Sequence, residues 1–360
     1  MRIVQVITRP QRRGAEIFAS QLSEQLAKMG HEVFLVSVYQ ADQELSFDGN
    51  LIKLDLPYQG KLDWEGFKHL SQVFRRINPE IVQANASDTL RMCVGASYFF
   101  KGRYKLIYRN ANQMSGLLKS KFHQFWNQFL LSHVDGIISV SKASKSDLLK
   151  TFSFSKPITV IPIGLVPNEI EQKLLKSASV LPKSYILQIG GLVPEKDPLG
   201  MLEIFMKLDI PDMHLIFLGS GPLEGELKRQ IAAKKLENQI LPVVNQANIF
   251  PFLSQAKALV LPSKVEGLPG VILEAMYCKV PVIAYDVGGI PEVVINEKTG
   301  WLIPYGEQEI FVKALNQILK IEDPKTIPQI LNSYQLVTTD FLIPEISEKF
   351  LAFYQELFSH

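Results

Sequence analysis

Two glutamates, Glu266 and Glu274, with seven residues between them, are the side chains of this chain best placed for chemistry. They lie within residues 259–276 (LVLPSKVEGLPGVILEAM), where an apolar run predicts a strand that ends at Pro262, because proline cannot donate to a strand ladder. A loop rich in glycine and proline follows and then a helix start, so Glu266 falls in the loop and Glu274 about one turn into the helix. Both carboxylates can therefore face the crevice at the carboxyl end of the strand, where two acceptors suit a ligand with many hydroxyls. The alternative is that Glu274 only complements the positive helix terminus and Glu266 is a solvated loop residue.

The residues around the two glutamates belong to a longer pattern that runs through the chain. Next to the glutamates stand Pro262, Ser263, Gly267, Ala275 and Met276, followed by residues 281–284 (PVIA) and 288–292 (GGIPE). Four further segments precede them in order, namely residues 135–141 (DGIISVS), 161–164 (IPIG), 190–198 (GGLVPEKDP) and 217–223 (FLGSGPL). This pattern resembles the signature of the retaining family-four glycosyltransferases, closely in the carboxyl half of the chain and loosely in the amino half.

The resemblance implies the GT-B fold, an α/β architecture of two Rossmann-like domains whose parallel sheets face each other across a cleft. The chain's own pattern agrees, because apolar strand patterns alternate with helical patterns in both halves, which is typical of βαβ units. The sequence predicts strands at residues 3–7, 33–38, 81–83, 106–108, 136–140, 158–161, 185–189, 214–218, 258–261 and 282–284. It predicts helices at residues 15–29, 64–77, 121–132, 142–151, 199–208, 223–235, 249–256, 271–278 and 341–358. We therefore expect an acceptor-binding domain at residues 1–165, a nucleotide-sugar-binding domain at residues 166–340, and a terminal helix at residues 341–360 that crosses back to the first domain.

The resemblance also implies the reaction, which is transfer of a glycosyl group from a nucleotide sugar to an acceptor hydroxyl with retention at the anomeric carbon. Negative charge grows on the leaving diphosphate, and Lys196, which follows the Gly190-Gly191 turn and precedes a helix, is the first candidate to stabilise that charge. The alternative is that Lys196 is a solvated lysine on a turn. The family's counterparts of Glu274 and Glu266 hold the ribose hydroxyls and contact the donor sugar, so the catalytic candidates are Lys196 and Glu266. The other donor-binding candidates are Gly190, Gly191, Gly219, Gly267, Leu268, Pro269 and the amides of Gly270 and Val271.

One departure from the family pattern concerns the cations near the diphosphate. The family usually has a basic residue just before Leu192, and Gly191 stands there in this chain. One charge-assisted hydrogen bond to phosphate, worth roughly 1.5–3 kcal/mol, is then missing. Arg12 and Arg13, in the loop that leads to Gly14, are candidate replacements at the cleft. The alternative is that both arginines form a basic surface.

A second departure lies after a middle strand of the first domain, where the family often has a histidine. This chain has Arg109 and Asn110 there, and they are candidates to donate hydrogen bonds to the sugar or the acceptor. No protein nucleophile is evident, so the leaving phosphate itself is expected to take the acceptor proton. No carboxylate pair suggests a Mg²⁺ or Mn²⁺ site, so we expect no metal and no cofactor besides the donor substrate.

Charge is unevenly distributed along the chain. Residues 1–165 carry 21 Lys and Arg against 13 Asp and Glu, a net charge of +8, and residues 166–360 carry 17 against 23, a net charge of −6. A basic half favours an anionic partner such as a lipid surface or a phosphorylated acceptor, and nucleic acid ranks last because no nucleic-acid-binding motif is present. The alternative is a solvated basic surface. The aromatic and lysine residues at 98–105 and 117–131 suit a membrane interface and a lipid-linked acceptor, unless most of the aromatics face the domain core.

Composition and the amino terminus favour a cytoplasmic enzyme, peripheral at the inner face of the cell membrane if its acceptor is lipid-linked. Two cysteines without paired spacing support neither a disulfide framework nor a zinc site, and the apolar run in residues 1–10 is too short for a signal or a membrane span. We expect a role in bacterial exopolysaccharide, capsule or lipopolysaccharide synthesis. The alternatives are a nucleotide-sugar-binding protein without catalysis and another GT-B enzyme such as a nucleotide-sugar epimerase. A dinucleotide-dependent oxidoreductase is disfavoured because residues 8–11 lack the glycine fingerprint.

Overall fold

The computed structural model of the protein describes residues 1–11, 13–41, 45, 47–58, 60, 62–118, 120–175, 181–243, 246, 248–321 and 327–359. The chain forms two compact units, the first made of Met1–Gly164 with Ile343–His360 and the second of Leu165–Leu342. Each unit has one sheet with helices around it. No described helix combines the length and the apolar character needed to cross a bilayer.

The first unit is built on a seven-stranded sheet whose strand pairs are all parallel. Its strands are β1 (Arg2–Ile7), β2 (Glu32–Tyr39), β3 (Asn50–Leu56), β4 (Ile81–Ala84), β5 (Lys105–Asn110), β6 (Gly136–Ser139) and β7 (Ile158–Val160), in the order β3-β2-β1-β4-β5-β6-β7. The helices are α1 (Gly14–Lys28), α2 (Trp64–Ile77), α3 (Ser87–Ser97), α4 (Lys121–Ser132) and α5 (Lys142–Thr151). The central strands are nearly continuous runs of buried apolar residues, as expected of a parallel sheet that is covered on both faces.

The second unit is built on a six-stranded parallel sheet. Its strands are β8 (Tyr185–Ile189), β9 (His214–Leu218), β10 (Ile240–Val243), β11 (Ala258–Leu261), β12 (Val282–Tyr285) and β13 (Trp301–Ile303), in the order β10-β9-β8-β11-β12-β13. Its helices are α6 (Pro167–Leu174), α7 (Pro198–Met206), α8 (Glu224–Ala233), α9 (Phe250–Leu253), α10 (Gly270–Tyr277), α11 (Gln308–Leu319) and α12 (Pro328–Asp340). The prediction of two parallel-sheet α/β domains is confirmed.

The last helix, α13 (Ile343–Glu356), packs on the first unit. Its Tyr354 hydroxyl donates to Gln83 Oε1 at 2.7 Å and accepts from Gln5 Nε2 at 3.1 Å, and all three side chains are buried. The predicted helix start at residue 341 is wrong, because Leu165 N donates to Phe341 O at 2.7 Å and Leu342 bridges to Leu165. Phe341, with a φ of −126°, is the C-cap of α12 and is not helical, so α13 begins at Ile343.

Candidate functional site

The second sheet has one point where its strand order reverses. The chain leaves β8 toward β9 on one side and leaves β11 toward β12 on the other, so the loops that follow β8 and β11 diverge. Parallel α/β sheets bind ligands in the crevice that such diverging loops leave at the carboxyl ends of the strands. Lys196 follows β8 and Glu266 follows β11. The fold therefore brings these two predicted residues to the same crevice.

Lys196 and Glu266 form an ion pair, with Nζ 2.5 Å from Oε1. Only 6% of the Glu266 side chain is exposed, whereas Lys196 is partly exposed. A carboxylate with so little access to water depends on its cation, because an unpaired buried charge is strongly destabilising. An ammonium group has three N–H donors, and Glu266 is the only hydrogen-bond acceptor of Lys196 Nζ in the described part of the chain. Two donors therefore remain for a second acceptor.

The loop that carries Lys196 is tied to the loop after β11. Lys264 N donates to Glu195 O at 2.8 Å, and Lys264 Nζ lies 3.2 Å from Asp197 Oδ1. Gln188, on β8, donates from Nε2 to Lys196 O at 2.7 Å. The backbone around Lys196 is held by these contacts, and its Nζ is held by Glu266. The ammonium group is therefore positioned before any ligand binds.

The two helices that start beside this crevice differ at their amino termini. Asp197 caps α7, since its Oδ1 accepts from Gly200 N at 3.2 Å, so the positive end of this helix already faces a carboxylate. The start of α10 has Pro269 as its N-cap, and no described side chain caps it. A free helix terminus attracts anions, so the amides of Gly270 and Val271 are better placed for phosphate than the start of α7.

Close backbone contacts between the loops depend on two glycines. Gly219, after β9, has a φ of 155°, and a Cβ there would lie 1.9 Å from Gly190 O. Gly288, after β12, has a φ of 58°, and a Cβ there would lie 1.9 Å from Glu266 O. The first contact supports the Lys196 loop, and the second supports the backbone of Glu266 itself. Gly288 belongs to the segment 288–292 that was noted in the sequence, but its role as a support for Glu266 was missed.

The position of the missing family cation is sterically open. A Cβ at Gly191 would meet Val193 Cγ1 at 3.7 Å and Ser220 O at 3.8 Å, which are ordinary van der Waals contacts. Gly191 is therefore not required by the backbone, in contrast to Gly219. Two further donor-binding candidates, Leu268 and Pro269, are buried in the loop that leads to α10.

Glu274 lies one turn into α10, as predicted, but its surroundings were not foreseen. Burial raises the pKa of its carboxyl to about 7, while Lys173 lowers this pKa and Glu169 raises it. Both neighbours belong to α6, which is held to α10 by a hydrogen bond of 2.8 Å from Tyr277 Oη to Glu171 Oε1. The short α6 was not predicted, so its charges beside Glu274 were missed.

The predicted residues of the first unit fall into two groups. Arg13 and Gly14 are exposed at the start of α1, and Arg12 lies outside the described residues. Arg109 and Asn110 end β5 and are buried, with 2% and 0% of their surface exposed, so neither side chain lies on an open surface.

Arg109 has an unusual environment for a guanidinium group. It lies over the ring of Phe18, with Cζ 4.4 Å from the ring centroid. Burial lowers the pKa of Arg109 to about 10, against the opposing influence of Tyr354, Glu16 and Tyr108. Its Nε and Nη1 have no hydrogen-bond partner within the described part of the chain. Glu16, whose own pKa is raised by burial, was not singled out from the sequence, although it stands two positions after Gly14.

Comparison with known proteins covers nearly the whole chain. Residues 12–169 match the family model described as Glycosyltransferase Family 4, and residues 169–329 match the model described as Glycosyl transferases group 1. An uncharacterized glycosyltransferase of Haemophilus influenzae is 26% identical over 93% of this chain and 94% of its own length. A Campylobacter jejuni N-acetylgalactosaminyltransferase, whose name gives a diphospho-undecaprenol-linked acceptor, is 27% identical over 58% of each chain.

Solved structures show the same fold. Anabaena HepE, crystallised with UDP-glucose, superposes with a TM-score of 0.83 over 99% of this chain and 100% of its own, at 18% identity. Sucrose-phosphate synthase from Thermosynechococcus elongatus superposes with a TM-score of 0.81 over 99% of both chains, at 20% identity. At these identities the likeness concerns the fold alone.

Proposed function

The chain belongs to the family-4 glycosyltransferases, which have the GT-B fold, and we propose that it transfers a sugar from a nucleoside-diphosphate sugar to an acceptor hydroxyl with retention of configuration. The observation that carries this proposal is the Lys196–Glu266 ion pair, which lies at the strand-order reversal of the second sheet beside the uncapped start of α10. A fixed cation and free helix amides in one crevice suit a diphosphate. The carboxylates of Glu266 and Glu274 suit the hydroxyl groups of a sugar and of a ribose, respectively.

In this proposal the donor occupies the second unit. The diphosphate binds the amides of Gly270 and Val271 and the two remaining N–H donors of Lys196. Glu274 accepts hydrogen bonds from the ribose hydroxyls. Glu266 and the loop of Gly267, Leu268 and Pro269 contact the donor sugar, and the turns at Gly190, Gly191 and Gly219 border the nucleotide.

The chemical step needs no protein nucleophile. The bond between the anomeric carbon and the leaving diphosphate oxygen breaks, and the acceptor oxygen forms its new bond on the same face of the sugar. The acceptor proton passes to an oxygen of the leaving phosphate, so protons and charge balance. Lys196 and the α10 amides stabilise the negative charge on the leaving group, and no metal ion or other cofactor is required.

The acceptor is proposed to be a glycan or a lipid-linked glycan in the synthesis of a bacterial cell-surface polysaccharide. We propose a cytoplasmic location for the protein, peripheral at the inner face of the cell membrane if the acceptor is lipid-linked. The diphospho-undecaprenol-linked acceptor in the name of the Campylobacter jejuni relative supports this proposal. The first unit is assigned to the acceptor. Arg12 and Arg13, beside Gly14, remain predicted replacements for the missing family cation near the diphosphate. Arg109 and Asn110 remain predicted hydrogen-bond donors to the sugar or the acceptor.

Incubation of the purified protein with nucleotide sugars and a lipid-linked oligosaccharide acceptor tests the reaction. We expect a glycoside product whose anomeric configuration, measured by the NMR coupling at the anomeric proton, equals that of the donor. Excess EDTA should leave the rate unchanged. An inverted product, or a rate abolished by EDTA and restored by Mg²⁺ or Mn²⁺, contradicts the proposal. Binding of a nucleotide sugar without transfer to any acceptor supports a binding protein instead.

The raised pKa of Glu274 predicts how donor binding depends on pH. The ionised carboxylate is a stronger acceptor for the two ribose hydroxyls than the protonated carboxyl group, so the bound donor lowers the pKa of Glu274 from about 7. Donor affinity should therefore rise with pH and level off above the pKa of the free protein. One unit below that pKa, the affinity should be up to about tenfold weaker, as measured by calorimetry with a nucleotide sugar, whose doubly esterified diphosphate does not titrate in this range.

Glu274→Gln is the matched control for this dependence. The glutamine does not ionise, so the step near pH 7 should disappear and the affinity at high pH should be lower by roughly 1.5–3 kcal/mol. The Glu274 carboxyl also affects stability, and the pH dependence of stability has the opposite sign to that of donor affinity. The folded protein retains a proton that the unfolded chain releases, so the free energy of unfolding should fall between pH 4.5 and about 7 in the wild type and less in the variant. If donor affinity changes with pH by the same factor in both proteins, Glu274 does not have the proposed role.

A further inference from the structure

Helix α4 of the first unit exposes a row of phenylalanines. Phe122 and Phe125 are 73% and 71% exposed, and Phe129, one turn further along, is 37% exposed. The opposite side of the helix is well packed, since Leu130 and Leu131 are buried in the core of the unit. Contiguous exposed apolar surface is rare on a protein that meets only water and marks an interaction site.

The exposed row continues past the end of α4. Trp126 stacks on Phe129, with ring centroids 5.7 Å apart, and the ring centroid of His133 lies 4.6 Å from that of Phe129. His133 Nε2 is hydrogen-bonded to Tyr98 Oη at 2.8 Å, and Tyr98 is itself exposed. We call this surface the aromatic face, consisting of Tyr98, Phe122, Phe125, Phe129 and His133, and Trp126 packs behind it against Phe129.

The sequence left open whether these aromatic residues face the core or a membrane. Phe99, Phe100 and Trp126 are partly buried and pack against the core, whereas Phe122 and Phe125 point away from it. The segment therefore divides, with one set of rings anchoring it and another set presented outward.

Basic residues surround the aromatic face. Exposed Lys121 opens α4, and Lys101 lines a cavity of about 310 Å³ together with Tyr98 and His133. At the other end of α4, Lys156 Nζ donates to Ser132 O at 3.4 Å and to Val134 O at 2.5 Å.

The positive charge of residues 1–165 is concentrated in the same segment. Residues 98–156 contain 10 Lys and Arg against 2 Asp, a net charge of +8. The rest of residues 1–165 contains 11 basic and 11 acidic residues, a net charge of zero. The entire excess of +8 is therefore carried by the segment that includes the aromatic face.

We propose that the aromatic face docks on the surface of an anionic phospholipid bilayer. Exposed phenylalanines insert at the level of the headgroups, and flanking lysines keep their stems along the apolar boundary while their ammonium groups contact lipid phosphates. Basic residues near such a surface add to the attraction, which salt weakens because it falls off within a Debye length. A second copy of the chain fits this face less well, because a symmetric contact would bring together the exposed lysines, such as Lys101 and Lys121, around two such faces. The proposal goes beyond the transfer reaction and does not depend on the donor site.

Vesicle flotation tests the proposal with the full chain. The wild type should float with vesicles of phosphatidylcholine containing about one third phosphatidylglycerol, and should remain behind with phosphatidylcholine alone. Phe122→Ser combined with Phe125→Ser should weaken binding to the anionic vesicles by about tenfold or more, since two rings lose their burial. Lys101→Glu combined with Lys121→Glu should do the same, and added salt should weaken the wild type.

Matched changes on the second unit serve as controls. Ile310 and Leu331 are exposed apolar residues, and Lys313 and Lys320 are exposed lysines. Ile310→Ser with Leu331→Ser, and Lys313→Glu with Lys320→Glu, should bind the anionic vesicles as the wild type does. All variants should keep the wild-type thermal midpoint and nucleoside-diphosphate affinity, which separates this proposal from the proposed reaction. Equal vesicle binding by the phenylalanine variant and the wild type overturns the docking proposal. The proposal is also overturned if the wild type is a dimer in solution and the phenylalanine variant is a monomer.

Discussion

Replacing Gly219 by alanine is expected to destabilise the second unit and to abolish donor binding. Gly219 has a φ of 155°, a region that other residues rarely adopt, and its Cβ would lie 1.9 Å from Gly190 O. Backbone strain and the forced separation of two loops together cost roughly 2–6 kcal/mol. The loop that moves is the one that carries Lys196. Denaturant unfolding should show the loss of stability, and calorimetry should show the loss of nucleoside-diphosphate binding.

Gly225→Ala is the matched control in the same unit. Gly225 lies in the first turn of α8, and a Cβ there would meet nothing within 4 Å. Alanine is the better helix former, so this change should leave binding intact and should be neutral or stabilising by up to about 1 kcal/mol. If both glycine variants unfold at the same denaturant concentration, the close contact between the loops after β8 and β9 is not required.

Lys196→Ala should damage both stability and donor binding, for different reasons. Glu266 is almost completely buried, so loss of its cation leaves an uncompensated carboxylate at a cost of roughly 3–5 kcal/mol. The diphosphate loses a charge-assisted contact, which should weaken its binding by roughly 1.5–3 kcal/mol, or tenfold or more. Thermal unfolding and calorimetry measure the two effects separately.

The double variant Lys196→Ala with Glu266→Gln separates the two effects. The neutral glutamine needs no cation, so the double variant should regain most of the lost stability while its diphosphate binding stays weak. Glu266→Gln alone retains the ammonium and should bind the diphosphate better than the double variant does. Recovery of wild-type affinity in the double variant would show that Lys196 does not contact the phosphate.

The sequence predicted the parts of the site that lie within one local segment. Pro262 ends β11, Glu266 follows in the loop, and Glu274 lies in α10, because strand, loop and helix signals stand close together there. Contacts between distant segments were not predictable in the same way. The Lys196–Glu266 pair joins residues 70 positions apart, and only the strand order that places β8 beside β11 brings them together.

Other misses have equally specific causes. Asp197 adopts a left-handed conformation with a φ of 47°, which is uncommon for residues other than glycine, and its capping of α7 was not foreseen. The strands β3, β10 and β13 were not predicted. They are edge strands of their sheets, and the half-exposed positions in β3 and β13 weaken the apolar pattern by which a strand is recognised. Helix α4 has aromatic residues on both its packed and its exposed sides, and its periodicity therefore did not show which rings face outward.

Calorimetric titration of nucleoside diphosphates tests the central claim that the crevice of β8 and β11 holds the donor diphosphate. The titration compares the wild type with the double variant Lys196→Ala, Glu266→Gln at a pH above 7, where Glu274 is ionised. At least one of UDP, GDP, ADP, CDP and dTDP should bind the wild type, and the same compound should bind the variant about tenfold more weakly or worse. Equal affinity in both proteins, or no binding of any nucleoside diphosphate to the wild type, would contradict the claim.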